Sequence, residues 1–155
     1  MAGISVTMTE IYLSHGIRFR YPAAWEIDER DVDGEVTITV SSPGATFWTV
    51  SLYPHGPEPA QVMETALNAY RDEFKDLDIY PASVDLCQRT TTARDLDFVC
   101  LDLIHSGGLR SFRTGQFTVL VLFQSAAQDG DDTRNDLDSI TDSLRCEGDE
   151  MIFSD

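Results

Sequence analysis

The sequence predicts an α+β fold, an α/β/α sandwich in which a mainly antiparallel sheet is flanked by two main helices. Three observations predict it. Alternating apolar positions recur in strand pairs, two stretches are amphipathic at helical spacing, and the last strand, Val119 to Phe123, is apolar on both faces. A strand apolar on both faces needs cover on both sides of its sheet.

The elements follow in chain order. Gly16 to Trp25 reads as a short strand that opens the sheet, with Ile17, Phe19 and Tyr21 facing one way and Arg18 and Arg20 the other, ending at Pro22 and an indole anchor. Val36, Ile38 and Val40 then alternate with threonines, a Pro43-Gly44 turn follows, and the pattern resumes with Trp48, Val50 and Leu52. Pairing Val40 with Trp48, Ile38 with Val50 and Val36 with Leu52 puts these six on one face. The reverse face is then Thr37, Thr39, Phe47, Thr49, Ser51 and Tyr53, polar with two aromatics.

A helix over about residues 59–75 presents Met63, Ala66, Leu67, Tyr70 and Phe74 on one stripe, after Pro57 and Pro59. A second, over about 132–145, presents Leu137, Ile140 and Leu144, with Asp131, Asp132 and Asp136 suiting the positive end of its dipole. Between them the pattern predicts a strand block. A hairpin centred on Ala93-Arg94 sets Val84 opposite Leu103, Leu86 opposite Leu101 and Gln88 opposite Val99. Gly107-Gly108 and Gly115-Gln116 read as two-residue turns, which would align Leu103, Phe112 and Val119 across three strands.

One domain, 1–155, is expected, ending in a short tail at 147–155. A chain of this size buries roughly 70% of its unfolded surface without metal or disulfide. Its 27 acidic against 11 basic residues give a formal net charge of −16, which repels the phosphate backbone and makes nucleic acid a poor partner. The longest apolar run, Phe117 to Phe123 interrupted by Thr118, is far short of the ~20 residues a membrane helix requires. No membrane insertion is expected. Met1 to Glu10 lacks the basic start and apolar stretch of a signal peptide, so the chain reads as cytoplasmic.

Cys87, Cys100 and Cys146 are odd in number and lack Cys-x-x-Cys spacing, so reduced thiols are the default. The hairpin register also pairs Cys87 with Cys100, which would allow a cross-strand disulfide, and sets Asp85 against Asp102. That like-charge pair has three explanations, in order of preference: a wrong register, neutralisation by Arg89 or Arg113, or a bridging cation.

His15, His55 and His105 show no metal-ligand spacing, and no Gly-x-Ser-x-Gly elbow accompanies Ser106 or Cys100. They read as loop or strand-end histidines. Glu29-x-Asp31-x-Asp33-Gly34 has part of a calcium-loop pattern, but Val40 stands where the bidentate Glu is needed, so an acidic turn is the preferred reading. Neither a metal nor a cofactor is expected. Trp25 and Trp48 read as core anchors.

The strand ending Tyr21-Pro22-Ala23-Ala24-Trp25, followed by a hairpin, a helix, a strand meander and a closing helix, resembles the PsbP and Mog-like superfamily. That group includes the photosystem II extrinsic protein PsbP, the Ran-release factor Mog and bacterial DcrB-type relatives. The resemblance implies an α/β/α sandwich whose members bind other proteins without catalysis, and it carries no catalytic residues over. Some bacterial members are chaperones for secreted effectors, a job suited to a small acidic chain.

The leading expectation is therefore a non-enzymatic module that binds a basic or hydrophobic protein partner on the face of Thr37, Thr39, Phe47, Thr49, Ser51 and Tyr53. Two alternatives remain: a small hydrolase or ligand-binding protein with a pocket at the sheet edge near His55 or His105, and a structural homodimer.

Overall fold

The computed structural model describes residues 8–147; residues 1–7 and most of the expected tail, 148–155, lie outside the described part. The strands are β1 (Thr9–Ser14), β2 (Ile17–Pro22), β3 (Glu26–Val32), β4 (Glu35–Ser41), β5 (Phe47–Tyr53), β6 (Leu77–Ala82), β7 (Thr92–Cys100), β8 (Leu103–Arg113), β9 (Thr118–Ala126) and β10 (Arg145–Cys146). The helices are α1 (Pro59–Glu73), between β5 and β6, and α2 (Gly130–Ser143), between β9 and β10. The fold is α+β and antiparallel, as the sequence predicts. A seven-stranded sheet runs β3-β4-β5-β9-β8-β7-β6, and a three-stranded sheet runs β1-β2-β10.

The β4–β5 register is the expected one, Val36 opposite Leu52, Ile38 opposite Val50 and Val40 opposite Trp48. All six are buried. Their face is covered by α2 and the small sheet, which together enclose one core with Phe19, Phe112, Val121, Ile140 and Leu144. The opposite face is covered by α1, which packs over β7, β8 and β9 around Met63, Leu67, Leu96, Phe98 and Leu109. Strand β9 feeds both cores, Val119 and Val121 into one and Leu120 into the other.

Several expectations need correction. The strand in Gly16 to Trp25 does not open the large sheet. As β2 it sits between β1 and β10 in the small one, and its Ile17 and Phe19 join the core around Trp48. Trp25 and Trp48 are core anchors, at 7% and 0% exposure.

The hairpin centred on Ala93-Arg94 does not form. Strand β7 runs straight through those residues and pairs with β6, Ala82 opposite Ala93 and Leu77 opposite Phe98. The β7–β8 turn falls at Leu101-Asp102, both at positive φ, 52° and 63°. Asp85 and Asp102 are therefore not cross-strand partners. Cys100 stands opposite Leu103, whereas Cys87 sits in the 86–89 turn with its thiol against the carbonyl of Leu144, so these two cysteines do not face each other. Among the described residues no disulfide joins Cys87, Cys100 or Cys146.

Gly107-Gly108 is not a turn either. Both glycines lie mid-strand in β8, opposite Leu96 and Asp95 on one side and Gln124 and Phe123 on the other. The Gly115-Gln116 turn is observed, and Phe112 faces Val119 across it, but Leu103 is at the far end of β8. The first helix stops at Glu73, where Phe74 turns extended. The second begins two residues earlier than expected and releases Arg145 into β10.

Candidate functional site

The polar face of β4 and β5 becomes the floor of a trough of about 760 Å³, and α1 is its wall. The floor arises because threonine and serine alternate with buried aliphatics, so the strand period of two sends every hydroxyl to the side away from α2. The hydroxyls bond to one another across the strands: Thr39 Oγ1 to Thr49 Oγ1 at 2.8 Å, and Thr37 Oγ1 to Ser51 Oγ at 3.2 Å. Phe47 and Leu122 are the apolar part of that floor.

The six predicted residues separate. Thr37, Thr39, Phe47 and Thr49 line the trough. Ser51 is buried, at 9% exposure. Tyr53 is partly buried against the core under α1, and burial pushes its phenol above the ordinary value.

The wall lies beyond what the strand pattern predicts. Tyr70 and Phe74, core residues of the α1 stripe, also border the trough, together with Ala69 and Glu73 one helical turn apart. Tyr70 Oη donates to Gln124 Oε1 at 2.9 Å, fixing that wall to β9, and burial, reinforced by Glu73, pushes the phenol pKa well up. Phe74 is braced by Phe98 at 4.4 Å between ring centroids. A tyrosine and a phenylalanine four residues apart are the available sequence signal; which side of α1 stays open depends on where the helix lies across the sheet. The far rim is β3, where Arg30 Nε donates to Asp28 Oδ2 at 3.2 Å.

The histidines are dispersed. His55 is exposed in the turn after β5. His105 is buried within β8, stacked on Phe98 at 5.3 Å, and its Nδ1 has no hydrogen-bond partner among the described residues. His15 meets Glu29 at 3.1 Å, and Glu29 also accepts from the Tyr12 hydroxyl. In the acidic turn, Asp31 accepts the Gly34 N–H while Asp33 and Gly34 take positive φ, so Glu29 and Asp31 are used apart from each other. Among the described residues no three His, Cys, Asp or Glu side chains form a group able to hold a metal ion, and no helix is long and apolar enough to cross a membrane.

No family model matches the sequence, and no curated protein matches it. Solved structures do. The chain is similar to cyanobacterial PsbP (CyanoP) from Synechocystis sp. PCC 6803, with a TM-score of 0.56 and 13% identity over 94% of this chain and 96% of that one. The fold is that of PsbP. The PsbP-like fold also aligns with PA94 of Pseudomonas aeruginosa, a protein of unknown function, at TM-score 0.51 and 10% identity over 87% of this chain and 94% of that one. LpqN of Mycobacterium tuberculosis, described as involved in cell envelope biogenesis, aligns at TM-score 0.50 and 10% identity, over 90% of this chain and 91% of that one. At these identities the PsbP likeness is one of architecture.

Proposed function

We propose that this protein is a non-enzymatic protein-binding module that holds its partner in the trough between α1 and β3–β5. The observation that carries the reading is the bonding of the floor hydroxyls to each other. A solvated serine and threonine face normally loses its hydrogen bonds to water when covered, at a cost of about 1–3 kcal/mol for each unpaired group. Here Thr37 with Ser51 and Thr39 with Thr49 already satisfy one another, so covering them strands fewer polar groups. Phe47, Phe74 and Leu122 add apolar surface to the same trough.

The net charge of −16 favours a basic partner, by steering and by complementarity. A chaperone for a secreted effector is the finer form of this reading, supported by the acidic chain and the PsbP-like architecture. Three cysteines, an odd number without Cys-x-x-Cys spacing, favour a cytoplasmic setting.

The test is photo-crosslinking of the full chain carrying benzoylphenylalanine at Phe47, compared with the same probe at Leu13 on the small sheet. Capture of a partner at Phe47 and not at Leu13, abolished by Thr39→Lys with Thr49→Lys in a folded protein, is the expected result. Equal capture at both positions, or none at Phe47, would sink the reading.

A further inference from the structure

We infer that the occupant of the trough is a basic amphipathic helix of a partner protein, laid on the floor beside α1. The inference rests on the protein-binding reading and adds the form and charge of what is bound.

The form follows from the sheet. An extended peptide would ordinarily add to an open edge, and the edge on this side is β3, Glu26–Val32. That strand is exposed throughout and carries Glu26, Asp28, Glu29, Arg30 and Asp31, a density of charge that discourages strand pairing. The face is therefore the place to bind. Strands lie about 4.8 Å apart, so β3, β4 and β5 offer a floor on the order of 14 Å wide, and a helix with its side chains is about 10–12 Å across. Seven-residue strands run roughly 23 Å, the length of about 15 helical residues. One such helix, α1 with its 15 residues, already covers the neighbouring strands. The open half has room for a second.

The wall suits a helix neighbour. Ala69 and Glu73 are exposed, sit one turn apart and border the trough. A small residue lets a second backbone approach closely, and Glu73 offers a carboxylate to a lysine or arginine at the contact. On the far rim Arg30 is already bonded to Asp28, so it neutralises a carboxylate of its own strand. An apolar stripe meeting Phe47, Phe74 and Leu122, flanked by cations, completes the complementarity.

The experiment measures fluorescence anisotropy of labelled 18-residue peptides against the full chain. One peptide has leucine and alanine on one face and lysine on the other; a second has the same composition with a central proline; a third replaces lysine by glutamate. The lysine-faced helix should bind at least tenfold tighter than either of the others. Ala69→Trp, on an exposed helix position, should weaken it at least tenfold, and Glu73→Lys severalfold, with both variants melting as the parent does. Equal binding of the proline peptide would overturn the helical form, and equal binding of the glutamate peptide would overturn the charge. Failure of the lysine-faced helix to bind at roughly 1 mM would overturn both. All three outcomes leave the protein-binding reading to the Phe47 crosslink, which fails independently if nothing is captured.

Discussion

The indole N–H of Trp48 donates to Thr141 Oγ1 at 3.0 Å, and that hydroxyl donates in turn to the Leu137 carbonyl at 2.8 Å. Trp48 is fully buried in β5, and its ring also packs on Phe19 of β2 at 4.8 Å between centroids. The large sheet, the small sheet and α2 thus meet at one side chain. Buried indole N–H groups need a partner, and α2 supplies it from a position that helical pattern alone would assign to any small polar residue.

Thr141→Val keeps the shape and removes the acceptor. Stranding the Trp48 N–H should cost about 1–3 kcal/mol in urea unfolding. Trp48→Phe together with Thr141→Val should cost less than the two single changes added, because the pair no longer contains an unmet donor. Strict additivity would show that the bond contributes nothing.

Where the sequence is legible, and where it is not, follows from the same packing. The β4–β5 register can be read because Val36, Ile38 and Val40 have a buried face and a Pro43-Gly44 turn to set the phase. The floor of the trough comes with it. Strand β3 cannot be read, since its seven residues are all exposed and no apolar alternation marks an edge strand of this kind. Gly107-Gly108 carries turn chemistry yet sits mid-strand, and the turn falls at Leu101-Asp102, which carries little. The trough wall depends on how α1 crosses β7–β9, a long-range arrangement that local periodicity does not encode.

The two mid-strand glycines differ in what they avoid. A Cβ on Gly108 would lie 2.4 Å from Phe123 Cζ, a ring that carries the Arg110 guanidinium 5.3 Å from its centroid. A Cβ on Gly107 would lie 2.6 Å from the backbone oxygen of Phe123. Each alanine variant should lose about 1–3 kcal/mol, Gly107→Ala more, since a backbone cannot swing aside. Phe123→Ala should rescue Gly108→Ala in thermal melts and leave Gly107→Ala unimproved. Rescue of both would mean that the strands simply move apart.

The Leu101-Asp102 turn holds two residues with side chains in the left-handed region, and Leu101 is 90% exposed. Such a conformation costs roughly 1–2 kcal/mol for a residue like leucine and less for aspartate, whose short polar side chain tolerates it. Replacing the pair with Asn-Gly should stabilise the protein by about 1–2 kcal/mol and raise the melting temperature by several degrees. A lower melting temperature would show that Leu101 makes a contact beyond the turn.

Glu29 joins the small sheet to the edge of the large one, accepting hydrogen bonds from Tyr12 of β1 and from His15 in the following turn. Those bonds, Tyr12 first and His15 second, lower its pKa below the ordinary carboxylate value, while burial, then Glu29 itself, raise that of the Tyr12 phenol. For a carboxyl whose folded pKa is depressed, the stabilisation is present above its unfolded pKa and is lost as pH falls through the folded one. For a phenol whose folded pKa is raised, it is present below an unfolded value of about 10 and is lost as pH rises beyond it. The Glu29 carboxylate is largely open to solvent, so its share is below about 1 kcal/mol. Glu29→Gln should therefore lower the urea midpoint modestly between roughly pH 5 and 9, with the gap to the parent closing below about pH 4. A gap that persists unchanged into acid would show that the amide fails for reasons of shape, and that the charge of Glu29 plays no part in holding β1 to β3.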